Sequence, residues 1–160
     1  MFFVNSDFIE GEATFAANLK SGGDGKVLVE VYATSGMVAK SPYRIDYGYT
    51  TNTGGRWLQP QAMATNPMVG LIGVASDVCA SGCLGWVQIR GPILAVSFAV
   101  ASQTGSIGDA VSWASAAGLK ATSSTYIGAV HQVGVFISEA TGTNTGDILL
   151  VGNCYAESRA

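Results

Sequence analysis

The sequence predicts an all-β protein with the shape of a compact β-barrel or β-sandwich of the jelly-roll kind. Short β-branched and aromatic runs alternate with clusters of Gly, Ser, Thr and Asn, and few segments show helical periodicity. The four prolines stand at the edges of these runs, where a missing N–H group disturbs a sheet least. A chain of 160 residues has the length of one domain and buries enough surface to fold without a disulfide framework or a metal ion.

The predicted strands divide the chain into an N-terminal segment and one domain. Residues 26–33 (KVLVEVYA) give the clearest strand pattern. Further strands are predicted at 43–49, 68–75, 84–91, 93–101, 110–114, 126–140 and 147–152. For the Gly-bounded segment 106–120 a short helix is the alternative. We therefore expect residues 1–25 to form an N-terminal arm or a first strand, and residues 26–160 to form a single β domain.

Two segments share a plan, which indicates a degenerate internal duplication. Residues 69–91 and 133–152 both start with Val-Gly and an apolar residue, pass through a small or acidic polar linker that contains Gly, and end in an apolar strand closed by Gly. Repeated β units of this kind bury their apolar faces against each other. Chance self-similarity in a chain rich in Gly and Val is the alternative explanation.

Composition excludes several classes of partner. Only 12% of the residues are charged, about half of the usual ~25%, so much of the surface consists of small neutral residues. Such a surface suggests coverage by partner subunits, although an ordinary neutral exterior is the alternative. The net charge of −3 and the scattered Lys and Arg residues argue against nucleic acid. No apolar run is long enough to span a membrane, and the absence of a signal-peptide pattern, together with three cysteines, favours a reducing cytosol.

Candidate metal ligands are too few for a site. Cys79 and Cys83 are spaced so that two thiolates could bind one metal ion, but a structural zinc site needs four ligands. The other candidates, Cys154 and His131, each stand alone in their segments. We therefore expect no metal and no cofactor. A disulfide between Cys79 and Cys83 remains open, and it would close a very short loop.

Catalytic constellations are also weak. His131 could pair with a Ser or Cys and be oriented by Asp46, Asp77 or Asp109, but no nucleophile elbow of the Gly-x-Ser-x-Gly type is present. The eleven acids are dispersed, so no carboxylate pair for glycoside hydrolysis is indicated. We expect no catalytic residue and a protein that is not an enzyme.

Aromatic residues provide the candidates for an interface. Phe2, Phe3 and Phe8 concentrate in a terminal segment, which predicts an arm that docks on a neighbouring chain or, equally, a strand in the chain's own core. Trp86 lies in a predicted strand, and strict alternation would place Gln88 and Arg90 on the same face. Trp and Arg are enriched at interfaces, so we take Trp86 and Arg90 as interface residues.

The segment VGLIGVASDVCASGCLGWVQIRGP, residues 69–92, resembles a segment of the decoration (cement) proteins of tailed-bacteriophage heads. The similarity extends in pattern over residues 36–152, and the aromatic N-terminus and the Cys-x-x-x-Cys turn depart from it. The resemblance implies a small β-rich subunit, commonly a trimer, that sits outside the capsid and clamps adjacent major capsid proteins against internal DNA pressure. It implies no catalytic residues.

The leading hypothesis is therefore a capsid decoration protein that binds the outer surface of the head as a homotrimer. Its expected partners are the major capsid protein and further copies of itself, without nucleic acid or membrane, and its expected location is the virion after assembly in the host cytoplasm. The alternative is a carbohydrate- or receptor-binding β module of a virion. An enzyme with a site built on His131 is the third hypothesis.

Overall fold

The computed structural model describes residues 19–50, 55–61, 71–98, 103–114, 118–121 and 132–151. These residues form twelve β-strands and no helix, which confirms the all-β prediction. The strands are β1 (Leu19–Ser21), β2 (Val27–Ala33), β3 (Pro42–Thr50), β4 (Gly55–Gln61), β5 (Leu71–Ala75), β6 (Cys83–Ser97), β7 (Gln103–Gly105), β8 (Ala110–Ala114), β9 (Gly118–Ala121), β10 (Gln132–Phe136), β11 (Ala140–Thr143) and β12 (Thr145–Leu150). The helical alternative for segment 106–120 is wrong, because β8 and β9 lie there as a hairpin.

Ten of the described strands form one curled antiparallel sheet in the order β4-β3-β5-β6-β12-β10-β8-β9, with β2 paired to β6 and β1 to β2. Strands β7 and β11 form a separate pair. A parallel bridge between Phe98 and Leu119 links the end of the β6 segment to β9, so the sheet curls back on itself. None of the described residues belongs to a helix long and apolar enough to cross a membrane.

The segments 71–91 and 132–151 form two equivalent hairpins, but their register aligns Gly73 with Gly134, three residues away from the predicted alignment of the two Val-Gly starts. Ala75 pairs with Val87 between β5 and β6, and Phe136 pairs with Ile148 between β10 and β12, so the two connections contain the same number of residues. The hairpin between β5 and β6 contains Gly73, which stands two residues before Ala75, just as Gly134 stands two residues before Phe136. The two hairpins therefore follow one backbone plan.

The equivalence extends to a unit of five strands. Pro42 of β3 pairs with Val74 of β5, and Ala110 of β8 pairs with Val135 of β10, in the same order relative to each hairpin. The strand order is β4-β3-β5-β6-β2 in the first unit and β9-β8-β10-β12-β6 in the second. Strand β6 serves both units, since its first half pairs with β2 and its second half pairs with β12.

Each unit has its own apolar core, and β5 joins the two cores. The first core contains Val29, Val31, Ala33, Met37, Ile45, Ala75, Cys79 and Val87. The second contains Ile93, Val96, Phe98, Val111, Leu119, Val133, Phe136, Ala140, Ile148 and Leu150, together with Ile72 and Val74 of β5. Because alternate side chains of β5 enter different cores, this strand is buried on both faces, and the two units pack against each other.

Candidate interaction surface

Two loops of the first unit pair with each other through a bridge between Met37 and Cys79. Residues 34–41 connect β2 to β3, and residues 76–82 connect β5 to β6; we call them together the paired-loop platform. Met37 N donates to Cys79 O at 2.8 Å, and Cys79 N donates to Met37 O at 3.1 Å. On either side of this bridge, Lys40 N donates to Ala75 O at 2.9 Å and Gly82 N donates to Ala33 O at 2.7 Å. These four backbone bonds thus hold each loop to the other loop or to the strand that precedes the other loop.

Side-chain bonds fix the platform further. The backbone N of Val38 donates to the Tyr43 hydroxyl at 2.8 Å, and the Ser81 hydroxyl donates to Thr34 O at 2.8 Å. The backbone N of Ser97 in β6 donates a hydrogen bond to the carbonyl oxygen of Lys40 in loop 34–41 at 2.9 Å. A loop surface with this many satisfied bonds loses little conformational entropy when a partner binds to it.

The platform presents two large apolar side chains to solvent. Met37 and Cys79 point into the first core, with 2% and 8% of their surface exposed. Because side chains alternate along paired segments, the flanking residues Val38 and Val78 face outward on neighbouring segments. Val38 is 61% exposed and Val78 is 76% exposed.

The second unit provides an internal comparison, because it repeats this bridge without the valines. Gly105 pairs with Ala140 as Met37 pairs with Cys79, and Gly108 N donates to Phe136 O at 2.9 Å as Lys40 N donates to Ala75 O. The residues next to that bridge, in the positions of Val38 and Val78, are Ser106 and Glu139, and both are exposed. The loop pairing therefore does not require exposed valines.

Trp86 lies on the outer face of the first unit, half-buried on β6. The Lys20 ammonium of β1 stands 3.8 Å from the centre of its ring, and Glu30 of β2 is its direct cross-strand partner. A cation over an aromatic ring contributes about 0.5–1 kcal/mol at an exposed site. The equivalent residue of the second unit is Asp147, which stands before Ile148 as Trp86 stands before Val87. An aromatic side chain at this place is therefore not required by the fold.

The predicted placement of Gln88 and Arg90 beside Trp86 is correct for Gln88 and wrong for Arg90. Leu28 pairs with Gln88 but Val27 pairs with Arg90, so a β-bulge interrupts the alternation between them. Cross-strand partners share a face, and Val27 and Leu28 lie on opposite faces of β2. Arg90, although exposed, therefore lies on the face opposite to Trp86, and the structure does not bring these two predicted interface residues together.

Cys79 of the platform and Cys83, the first residue of β6, are both free thiols. Cys79 is buried, and its Sγ donates to Ala80 O at 3.5 Å and to Cys83 O at 3.7 Å; Cys83 is exposed. Burial raises the pKa of the Cys79 thiol, and the nearby charge of Cys83 raises it further. Within the described ranges no group of three or more His, Cys, Asp or Glu side chains could hold a metal ion.

The acidic candidates for orienting His131 take separate places. Asp46 accepts from the Arg44 guanidinium on β3, and Asp109 accepts from Ser106 N at 2.8 Å within a turn. Asp77 is exposed in the platform. His131, Cys154, Phe2, Phe3 and Phe8 lie outside the described residues.

Sequence reasoning did not find the platform, because Val38 and Val78 are single apolar residues in polar, Gly-containing loops that are far apart in the chain. The signal that the sequence does contain is a pair of adjacent apolar residues in each loop after a predicted strand. These pairs are Met37-Val38 and Val78-Cys79. Each pair places one side chain inward and one outward when the loop is extended.

Comparisons with known proteins give little further information. No family model matches the chain, and no curated protein matches it. A similar solved structure is the N base of the head fiber gp8.5 of bacteriophage phi29, with a TM-score of 0.46 and 12% sequence identity, covering 82% of this chain and 99% of that chain. At this level of similarity the comparison carries no argument about function.

Proposed function

We propose that the chain is a structural protein of a tailed-phage head, of the decoration (cement) type. In this proposal it binds the outer surface of the shell as a homotrimer and stabilises contacts between major capsid proteins. The observation that supports it most is the paired-loop platform, whose exposed Val38 and Val78 are held by a rigid backbone and are replaced by polar residues in the equivalent part of the second unit. The resemblance of residues 69–92 to decoration proteins gives the class of partner.

The physical properties of the body suit this role. A protein that clamps a shell needs a surface whose shape does not change on docking, and a curled sheet with two cores provides one. Its low charge means that association would depend on apolar burial and shape more than on long-range attraction. No catalysis is part of the proposal: the chain acts by contact alone.

The test is co-sedimentation of purified protein with heads of the phage whose genome encodes it. The double variant Val38→Ser, Val78→Glu introduces the residue types that the second unit carries at Ser106 and Glu139. Losing the burial of even one valine costs about 1.5 kcal/mol, so head affinity should fall at least about tenfold.

The matched control is Ile107→Glu, which changes an exposed apolar residue (67% exposed) in a turn of the second unit. It should leave head affinity unchanged. Docking through the platform would be contradicted if both variants lost head affinity equally, or if neither variant lost it.

The homotrimer is tested separately by light scattering of the purified chain, alone and after release from heads. A trimer in either sample supports the proposal. A monomer in both samples would contradict the homotrimer.

A carbohydrate- or receptor-binding module remains the second candidate, because Trp86 offers a partly exposed ring on the outer face. The Lys20 ammonium already lies over this ring, so a sugar would have to displace it. A glycan array that shows selective binding, abolished by Trp86→Ala, would favour this candidate over the first.

A further inference from the structure

The second unit carries a row of apolar side chains on its outer face. Pro92 of β6 pairs with Leu149 of β12. Leu149 in turn pairs with Val135 of β10, which pairs with Ala110 of β8. Directly paired residues of a sheet point to the same face, and Ile148, the neighbour of Leu149, is fully buried in the second core. The row therefore faces away from that core.

Further apolar side chains extend the row. Leu94, Ile137 and Val151 each follow a member of the row by two residues, and alternate side chains of a strand share a face. The backbone bonds of Ile137 and Val151 continue the pairing beyond the strand ends. The exposed fractions of Leu94, Ile137 and Val151 are 59%, 36% and 45%, and that of Leu149 is 37%. We call the row and these three residues the outer apolar face.

Asp147 lies on the same side of β12, two residues before Leu149, and its carboxylate is bound within the fold. One oxygen accepts from Ala95 N at 2.9 Å, and the other accepts from the Ser138 hydroxyl at 3.0 Å. These bonds lower the cost of covering this charge with a partner. A face of this composition fits a partner that is itself poor in charge, and only 12% of this chain is charged.

The corresponding row of the first unit is already an interface. It consists of Leu28 of β2, Gln88 of β6, Val74 of β5 and Pro42 of β3, which pair side by side. All four residues are buried. Val74 belongs to the second core, so the second unit covers this part of the row. In the register of the two hairpins, Leu149 takes the place of Gln88.

This comparison indicates the kind of partner. The row of the first unit is covered by a unit built on the same plan, whereas the equivalent row of the second unit is partly in solvent and extends into exposed apolar side chains. We propose that a second copy of this chain docks on the outer apolar face, and that this contact holds the homotrimer together. Three copies that each offer this face to a neighbour close into a symmetric ring. The inference rests on the proposed function for the number of copies.

The test is sedimentation of the full-length chain over a series of concentrations, without heads. The variant Leu94→Glu, Leu149→Gln changes two outward side chains, and the second change introduces the residue of the first unit at this place. The concentration at which half of the chains are assembled should rise at least about tenfold, because the burial of two leucines is lost. An unchanged concentration, or an unsubstituted chain that stays monomeric throughout, would overturn the inference.

The matched control is Ile107→Glu, which also places a charge at an exposed apolar residue of the second unit but lies in a turn. It should leave assembly unchanged. If it weakened assembly as much as the face variant does, the effect would not belong to the outer apolar face and the inference would fail. Melting followed by circular dichroism checks that both variants are folded.

Photo-cross-linking identifies the occupant of the face without a disruptive substitution. A photoreactive amino acid replaces Leu94, the most exposed of the four measured side chains. The expected products have the mass of two or three chains and are lost on dilution below the assembly range. Products with the mass of one chain alone would mean that the chain covers its own face, and would overturn the inference.

Head docking and self-assembly can fail independently. The platform variant Val38→Ser, Val78→Glu should still assemble but should not co-sediment with heads. Loss of head binding in that variant, with assembly unchanged in the face variant, would retain docking and remove the subunit contact. Assembly that depends on the outer apolar face, with no binding to heads, would retain the contact and remove the head.

Discussion

Single glycines determine how closely neighbouring strands approach each other in both units. A Cβ added to Gly134 would lie 2.4 Å from Leu149 O, and one added to Gly73 would lie 2.4 Å from Val87 Cγ1 and 2.8 Å from Gln88 O. A backbone carbonyl cannot move aside as a flexible side chain can. The close approach of these strands therefore depends on glycine at both positions, and the sequence did not indicate which strands would meet.

Gly134→Ala should lower the free energy of unfolding by about 1–3 kcal/mol, because the added methyl group overpacks the β10–β12 contact. The measurement is denaturant unfolding. The control is Gly36→Ala in the platform, where the nearest atom, Cys79 O, is 3.4 Å from the added Cβ. Similar stability of the two variants would contradict the close approach of β10 and β12.

The thiols of Cys79 and Cys83 should differ in reactivity, because Cys79 is buried and Cys83 is exposed. Alkylation mapped by mass spectrometry should modify Cys83 rapidly and Cys79 slowly at neutral pH. Because the folded state raises the pKa of Cys79, its protonated form stabilises the fold, and this contribution is lost as the pH rises through the raised value. Cys79→Ala, which introduces the residue found at Ala140, should weaken the alkaline loss of stability. Equal alkylation rates would contradict the burial.

At the scale of elements, the course of strand β6 could not be predicted from the sequence pattern. Two strands were predicted on either side of Pro92, but one strand, Cys83–Ser97, runs through it. The side-chain amide of Gln88 donates to the carbonyls of Arg90, Gly91 and Pro92 at 3.1, 3.1 and 2.9 Å. This amide supports the bulge from within the strand, and no local periodicity indicates such a contact. The same bulge moved Arg90 away from the face of Trp86.

Gln88→Ala should destabilise the protein by about 1–3 kcal/mol, because three carbonyls at the bulge lose a buried donor. Chemical denaturation measures the change. Gln132→Ala, at an exposed glutamine of β10, is the control and should cost less. If the two substitutions cost the same, the Gln88 amide does not support the bulge.

At the scale of the whole molecule, the repeated register of the two units explains both what could be predicted and what could not. The all-β class could be predicted, because strand alternation is a local feature. The similarity of 69–91 and 133–152 was also visible, but it aligned Gly70 with Gly134, whereas the register aligns Gly73 with Gly134. The pairing of Met37 with Cys79 and the sharing of β5 between two cores could not be predicted, because both depend on residues distant in the chain. When the two units are aligned by their registers, Val38 corresponds to Ser106 and Val78 corresponds to Glu139. The alignment thus shows that the two exposed valines are not needed for the loop pairing.

The platform variant should keep its stability, since the second unit builds the same bridge with the polar residues Ser106 and Glu139 beside it. Val38→Ser, Val78→Glu should change the free energy of unfolding by no more than about 0.5 kcal/mol, as is usual for exposed positions. Thermal and denaturant unfolding check this. A large loss of stability would mean that the valines belong to the fold and would remove the basis for a docking role.

The most direct test of the central claim, that this body docks on a phage shell through its platform, is cryo-electron microscopy of heads incubated with the purified chain. The account predicts ordered density on the outer surface, in groups of three, with loops 34–41 and 76–82 against the shell. Heads that remain bare, or density attached through the face of Trp86 with the platform in solvent, would contradict it.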